Sequence, residues 1–301
     1  MEVRKALIEL ADTLGVKYEE NVDFSRHCLY GTGGNADIFF YPKTAEEVKA
    51  IENALKEIGS DYFILGAGSN VLVSDNGYRG AVISTEMLKG ITVKGKILTA
   101  MSGEKLSDVV KYALYNSLGG IEFLSGIPAT VGGAVAMNAG CFNKCVGDYI
   151  SYVVASDGVY TKNNCGFGYR ESVFKDRGIC VLSATFNLEN VEYEQSEGKV
   201  AYYTSLRRNR QPKGRSCGSV FKNEGFFAGK VIESCNLKGM RIGSAVVSEK
   251  HANFILADKN GKSGDISRLI KHIKKTVYEK CGVELHEELI YVGEFDDEDQ
   301  L

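Results

Sequence analysis

Apolar positions recur at helical spacing in four stretches of the chain. MEVRKALIELADTLG (1–15) sets charges against an apolar face and predicts an amphipathic helix. Thr44 followed by Glu47 has the form of a capping box, after which Val48, Ile51, Leu55 and Ile58 repeat at steps of three and four up to Gly59. A further helix is predicted from Glu104 to Leu118, with Leu106, Val109, Val110, Ala113 and Leu114 on one face. Another follows Ser263, carrying Ile266, Leu269, Ile270, Ile273 and Val277 and ending near Gly282. Between them lie β-like runs: ADIFFY, DYFIL, NVLVS, GAVIST, ITVKGKILTA, ISYVVAS, ICVLSATFNL, HANFILA and ELIYV. Many strands, few helices and no regular alternation predict an α+β chain rather than a doubly wound parallel sheet.

At 301 residues the chain is long enough for two domains. The segment 191–216, VEYEQSEGKVAYYTSLRRNRQPKGRS, is polar and poor in branched apolar residues, and reads as a join between a larger N-terminal part and a C-terminal domain. The closing EFDDEDQL is acidic, and a solvated tail is expected. Lys and Arg number 36 against 39 Asp and Glu, a net charge of −3 that offers no footprint for nucleic acid. No run approaches the roughly 18 apolar residues of a membrane span, and the first residues do not read as a secretion signal. The eight cysteines form no CxxC and no metal-ligand spacing, so reduced thiols in the cytoplasm are expected, with no metal.

Thirty-four glycines against three prolines change the picture, because the glycines cluster: GTGGNAD (31–37), LGAGSN (65–70) and SGIPATVGGAVAMNAG (125–140). Such loops turn tightly or aim backbone N–H groups at a phosphate. The second follows a predicted strand, but Val71 stands where a dinucleotide fingerprint needs its third glycine, and a strand rather than a helix follows. The third lacks the GK[ST] ending of a P-loop. Three clusters interleaved with strands favour an extended ligand such as a dinucleotide, and spacing alone carries the reading no further.

The residues then become specific. TGGNAD with YPKTAEEV, LGAGSNVLVSDNGYRG, GIEFLSGIPATVGGAVAMNAG, GYRESVFK, SCGSVFKN, AGKVIESCNLKGMRIGSAVVSEKHANFI and VELHEELIYVG follow one another in family order. The chain resembles the UDP-N-acetylenolpyruvoylglucosamine reductase family over most of its length, and looks like that family's compact type. The resemblance implies a two-part FAD-binding domain of the vanillyl-alcohol-oxidase/PCMH type over 1–195, with the N-terminal helix. It also implies a smaller α+β C-terminal substrate domain over 196–295 and leaves 296–301 as the tail. The activity it implies is reduction of UDP-N-acetylglucosamine enolpyruvate to UDP-N-acetylmuramate, with NADPH and FAD, in peptidoglycan precursor synthesis. A cytoplasmic monomer is expected.

Site residues carry over position by position. Arg170 matches the arginine that binds the substrate carboxylate, a task suited to a permanently charged fork. Ser219 matches the proton donor of the GS-x-F-K-N motif. Glu288 matches the glutamate that works with Arg170 in polarising the enolpyruvyl group, selected over Glu284 and Glu287 by its register from Leu285. Tyr169, Asn223 and Lys230 are implied as substrate contacts. The FAD pyrophosphate is expected at Gly66, Gly68, Ser69 and Asn70, and at Ser125, Gly126, Ile127, Pro128, Thr130, Gly132, Gly133 and Ala134. His251 is read as structural. For the run Arg207, Arg208, Arg210, Gln211 and Lys213 two readings stand, a pyrophosphate grip or a solvated helix end. The chain departs from the family at Leu29 and Gly31, where threonine and a basic residue are expected, and at Glu224, where proline is common. Two rivals keep parts of this pattern: an oxidase of the same fold, which has no need of Arg170, Ser219 and Glu288 together, and a non-catalytic flavin or sugar-nucleotide binder.

Overall fold

The computed structural model describes residues 2–295, so the acidic 296–301 fall outside the described residues. The chain forms two compact units, neither continuous in sequence. Within the described residues, 2–19, 38–67 and 80–207 make the first, and 20–37, 68–79 and 208–295 the second.

In the first unit, helices α1 (Glu2–Leu14) and α2 (Ala45–Glu57) accompany the strand Tyr62–Leu65, which pairs in parallel with 81–84. Leu7, Ala11, Ile38, Phe40, Ile51 and Leu55 share one core there. Thr44 caps α2 as expected, its hydroxyl accepting the Glu47 N–H at 3.1 Å, while the Glu47 carboxylate accepts from the Lys43 N–H at 2.6 Å instead of closing back on Thr44. The helix stops at Glu57, so Ile58 becomes its exposed C-cap, and the buried face takes in Glu52 instead.

Glu52 is a buried carboxyl with the Ser156 hydroxyl as a partner, and burial pushes its pKa above the ordinary carboxylate range. The folded state therefore holds this proton to higher pH than the unfolded chain, whose glutamate titrates at about 4.3. Stability is full below the unfolded value and is lost as pH rises through the folded one. Glu52→Gln, which keeps the shape and a hydrogen bond to Ser156, is expected to melt with wild type at pH 4 and above it at pH 8. Parallel thermal scans at the two pH values measure this, and equal melting at both would remove Glu52 as a pH-dependent term.

The second sheet of this unit has five antiparallel strands in the order Gly158–Thr161, Ile150–Ala155, Val181–Asn187, Ile97–Met101, Ile91–Lys94. Helices α3 (Leu106–Tyr115) and α4 (Val131–Ala136) bury Leu106, Val109, Val131 and Val135 in the core it shares with Val153, Ala184 and Phe186. A single-turn helix α5 (Val173–Asp176) and the long α6 (Tyr193–Arg210) complete it. The polar segment read as a join is thus mostly helix, and a cut at 195/196 falls inside α6. Its Glu, Gln, Lys, Ala and Arg residues favour helix without any apolar stripe. Its grip on the core is thin: Val200 and Tyr203 pack against it, and buried Ser196 donates to Glu122 Oε1 at 3.0 Å.

The second unit holds α7 (Ala228–Ser234), α8 (Ser263–Cys281) and an antiparallel sheet of Arg241–Ile242, Ala245–Val247 and Ile255–Ala257. Ile266, Leu269, Ile270, Ile273 and Val277 form the buried face of α8, and Gly282 ends it at φ 65°. Val71–Val73 and Ile290–Val292 pair in parallel in this unit, and Asp75 caps α8 by accepting the N–H groups of Ser263 and Gly264 at 2.9 and 3.0 Å. These long-range bonds explain why 68–79 belongs with the C-terminal residues. Among the described residues no helix is long and apolar enough to cross a membrane.

Candidate active site

In the first unit, the strand Tyr62–Leu65 ends at Gly66, where a Cβ would lie 2.6 Å from Thr130 Oγ1. Glycine lets this backbone close on Thr130, the N-cap of α4, whose hydroxyl accepts the Gly133 N–H at 3.4 Å. Gly132 is equally constrained, since its Cβ would fall 2.0 Å from Ser102 Oγ. Ile127 and Ala134 pack on the core beneath the loop, and Gly126 and Pro128 are exposed at its turn. The hydroxyls of Ser102 and Ser125 are buried with no hydrogen-bond partner. Such orphaned groups cost about 1–3 kcal/mol each unless something fills them. Among the described residues the Ala67 N–H also reaches no acceptor. Orphaned donors over a backbone kept bare of side chains fit a phosphate-bearing cofactor such as FAD.

Arg207 of α6 builds this loop instead of lying solvated. Its Nε donates to the Ser125 carbonyl at 2.9 Å, and its Nη2 donates to the Phe123 carbonyl at 3.2 Å and meets Cys141 Sγ at 2.7 Å. Burial draws the guanidinium below its ordinary range, and it also raises the Cys141 thiol against the pull of Arg207 and Arg170. With Nε and Nη2 engaged on the loop, Arg207 is a brace for the residues expected to hold the cofactor.

Tyr169 and Arg170 form the tip of a tight hairpin closed by Gly168 and Glu171, whose N–H groups donate to each other's carbonyls at 3.1 and 3.4 Å. Arg170 sits at φ 61°, a left-handed conformation that costs a non-glycine residue about 1 kcal/mol or more. Its Nη2 donates to the Gly140 carbonyl at 3.0 Å and its guanidinium lies over the Tyr169 ring at 5.2 Å. Asn138 and Ser172, both missed in the sequence, hold the hairpin. Asn138 Nδ2 donates to the Gly168 carbonyl at 2.8 Å, and buried Ser172 donates to the Ala136 carbonyl at 2.6 Å.

In the second unit, Gly68 (φ 60°) lies against the turn at His27, and its carbonyl accepts the Leu29 N–H at 2.9 Å. The N–H groups of Gly68 and Ser69 reach no acceptor among the described residues. Asn70 Nδ2 is engaged, donating to the Glu288 carbonyl at 3.0 Å. The Glu288 N–H donates to the carbonyl of Val220, the residue after Ser219, at 2.7 Å, and Phe221 bridges Glu287 antiparallel. Asn253 locks this arrangement. It is 2 % exposed, its side chain accepts the Phe221 N–H at 2.9 Å and donates to the Phe221 carbonyl at 2.8 Å, and its own carbonyl accepts the Val220 N–H at 2.9 Å. Sequence reading took the HANF run as a strand and as part of a family motif without singling out Asn253, which lies in the turn before the strand Ile255–Ala257.

Glu287 is held by Lys274 at 2.9 and 3.0 Å, and Glu284 lies 3.7 Å from His286, which accounts for the two acids beside Glu288. Asn223 accepts the Ala228 N–H at 2.9 Å and so shapes the start of α7, on which Lys230 is exposed over the Phe227 ring. Burial holds His251 below its ordinary pKa, and its ring packs edge-on against Phe254, as a structural imidazole does. The departures find local compensation. The Arg215 side chain lies against Gly31, 3.2 Å from where a Cβ would be, and Glu224 Oε2 lies 2.8 Å from His286 Nδ1. Arg170 belongs to the first unit and Ser219 and Glu288 to the second.

A fold of mixed helix and strand with a glycine-lined loop of orphaned donors fits the class of FAD-binding oxidoreductases. Residues 36–162 match an FAD-binding domain, and 210–292 match the C-terminal domain of UDP-N-acetylenolpyruvoylglucosamine reductase. The chain is 41 % identical over 302 aligned residues to the UDP-N-acetylenolpyruvoylglucosamine reductase of Clostridium perfringens, covering 95 % of this chain and 98 % of that one. It is 40 % identical to that of Listeria innocua, over 91 % of this chain and 94 % of that one. The crystal structure of the Thermus caldophilus reductase superposes with a TM-score of 0.78 at 31 % identity, covering 92 % of this chain and 98 % of that one. The chain belongs to the UDP-N-acetylenolpyruvoylglucosamine reductase family.

Proposed function

We propose that this protein reduces UDP-N-acetylglucosamine enolpyruvate to UDP-N-acetylmuramate, with NADPH as reductant and FAD as the bound cofactor, in the cytoplasmic synthesis of peptidoglycan precursors. FAD supplies the relay of a hydride equivalent between nicotinamide and the vinyl carbon. Gly66, Gly126, Thr130, Gly132 and Gly133 would leave room for its pyrophosphate and the Ser125 hydroxyl would donate to it, and the family motif assigns Gly68, Ser69 and Asn70 to the same cofactor. Arg170 binds the substrate carboxylate and stabilises the negative charge that develops beside it. Ser219 donates the proton to the carbon next to that carboxylate, and Glu288 polarises the enolpyruvyl group. Tyr169, Asn223 and Lys230 hold the remainder of the sugar nucleotide.

The observation that supports this reading is the backbone bond from Glu288 to Val220, the residue after Ser219 in the GSVFKN motif of a family member. Under low oxygen, the flavin-loaded protein is expected to oxidise NADPH continuously only when the enolpyruvyl sugar nucleotide is present. Flavin reduction that ignores the sugar nucleotide and reverses only in air would overturn the reading in favour of an oxidase.

A further inference from the structure

Five of the eight thiols are satisfied by backbone carbonyls: Cys28 by Thr32 at 3.1 Å, Cys141 by Phe123 at 3.3 Å, Cys165 by Thr161 at 3.3 Å, Cys180 by Val181 at 3.6 Å and Cys217 by Val71 at 3.3 Å. Cys235 and Cys281 instead meet each other, sulfur to sulfur, at 3.4 Å. They come from separate elements of the second unit. Cys235 is the C-cap of α7 and is 2 % exposed, whereas Cys281 is the last residue of α8 and is open to solvent. Lys280 braces the pair by donating from Nζ to the Cys235 carbonyl at 3.1 Å.

We propose that Cys235 and Cys281 are a dithiol modification site that a hydroperoxide closes reversibly to an intramolecular disulfide, stapling the ends of α7 and α8. The chemistry divides by access. The exposed Cys281 thiolate attacks the peroxide, taking one oxygen as a sulfenic acid while hydroxide or alkoxide leaves. The buried Cys235, already in contact, attacks that sulfur; the S–S bond forms and the sulfenic oxygen leaves as water with its own hydrogen and the Cys235 proton, while the proton lost by Cys281 neutralises the hydroxide of the first step. In sum, two thiols and one hydrogen peroxide give one disulfide and two waters. Cys235 suits the resolving role, because burial and the adjoining thiol keep it protonated to higher pH than an ordinary cysteine until its partner has reacted. Contact before oxidation removes the rearrangement that most thiol pairs must undergo. The staple closes a loop that contains the strands Arg241–Ile242, Ala245–Val247 and Ile255–Ala257.

The test treats the flavin-loaded protein with hydrogen peroxide, blocks remaining thiols with iodoacetamide, and maps proteolytic fragments by mass spectrometry without reductant. The expected result is one crosslinked fragment joining Cys235 to Cys281, two hydrogens lighter than its parts and split by dithiothreitol. The oxidised protein should melt about 5 °C above the reduced one, since a closed loop restricts the unfolded chain. Cys281→Ser, a change at an exposed position, should abolish both the crosslink and the melting shift while folding normally. Cysteine sulfinic acid at position 281 with Cys235 still alkylated would overturn the proposal, as would crosslinks shared among other cysteines. In Cys235→Ser, the expected product is a sulfenic acid at Cys281 that a dimedone probe captures. Failure of dimedone to label it would overturn the assignment of Cys281 as the attacking thiol.

Discussion

Ser219→Ala will fold, bind flavin and accept electrons from NADPH as wild type does, yet turn over the enolpyruvyl sugar nucleotide about 10²–10⁴-fold more slowly. The substitution removes a single hydroxyl from a half-buried position whose backbone is fixed by its neighbours. Asn253 grips Phe221 on both its N–H and its carbonyl, and the Glu288 N–H grips Val220, so the chain trace does not depend on the Ser219 side chain. On the proposed reading of Ser219 as proton donor, the variant loses the proton source for the developing carbanion. The two half-reactions separate the possibilities. Stopped-flow absorbance reads the reductive half-reaction with NADPH alone, and substrate-driven reoxidation under low oxygen reads the other. Near-normal reoxidation in Ser219→Ala would remove serine from the proton-transfer step. Slowing of both halves together would show that the change had disturbed the flavin site.

Gly68→Ala will strip the protein of flavin and destabilise it by about 3 kcal/mol or more. Two costs combine at this position. At φ 60° an alanine sits in the left-handed region, which costs roughly 1–2 kcal/mol by itself. Its Cβ would also fall 1.9 Å from the His27 carbonyl oxygen and 2.7 Å from Cys28 Cα, both backbone atoms that no side-chain rotation can move aside. Relief requires the turn at 27–29 to shift, and that turn is tied to the loop by the bond from the Leu29 N–H to the Gly68 carbonyl. Gly59→Ala is the matching control: its φ is 66°, but nothing lies within 4 Å of the added methyl, so only the conformational cost is expected. Melting temperature and flavin content after purification compare the two variants. Equal losses would mean that the His27 contact yields without cost.

Local rules read from the chain agree with the structure wherever one residue and its near neighbours decide the outcome. The apolar repeats of α2, α3 and α8, the Thr44 cap and the Gly282 stop all depend on spacing along one helix. The LGAGSN loop does pass into a strand, Val71–Val73, as the missing third glycine implied. Glycines that proved necessary, such as Gly66, Gly68 and Gly132, already stood out as clusters.

Reading failed where the deciding partner lay far away in sequence. No apolar stripe in 191–216 announces α6, because its burial consists of Val200, Tyr203 and a serine hydroxyl meeting Glu122, a pattern without periodicity. Arg207 read as either a ligand grip or a solvated end; its work on the Ser125 and Phe123 carbonyls becomes visible only when the loop is folded against it. The same holds for Asn253 on Phe221 and for Cys235 against Cys281.

By itself, then, the sequence determined α1, α2, α3 and α8, most strands, the glycine-built loops and the family motifs, since these rest on local conformation and on residue order. Only the tertiary structure decided that 20–37 and 68–79 join the C-terminal residues, and that Glu288 bonds to Val220, the residue after Ser219. The reason is physical: parallel pairing of Val71–Val73 with Ile290–Val292 and capping of α8 by Asp75 bring together groups whose attraction has no local signature along the chain.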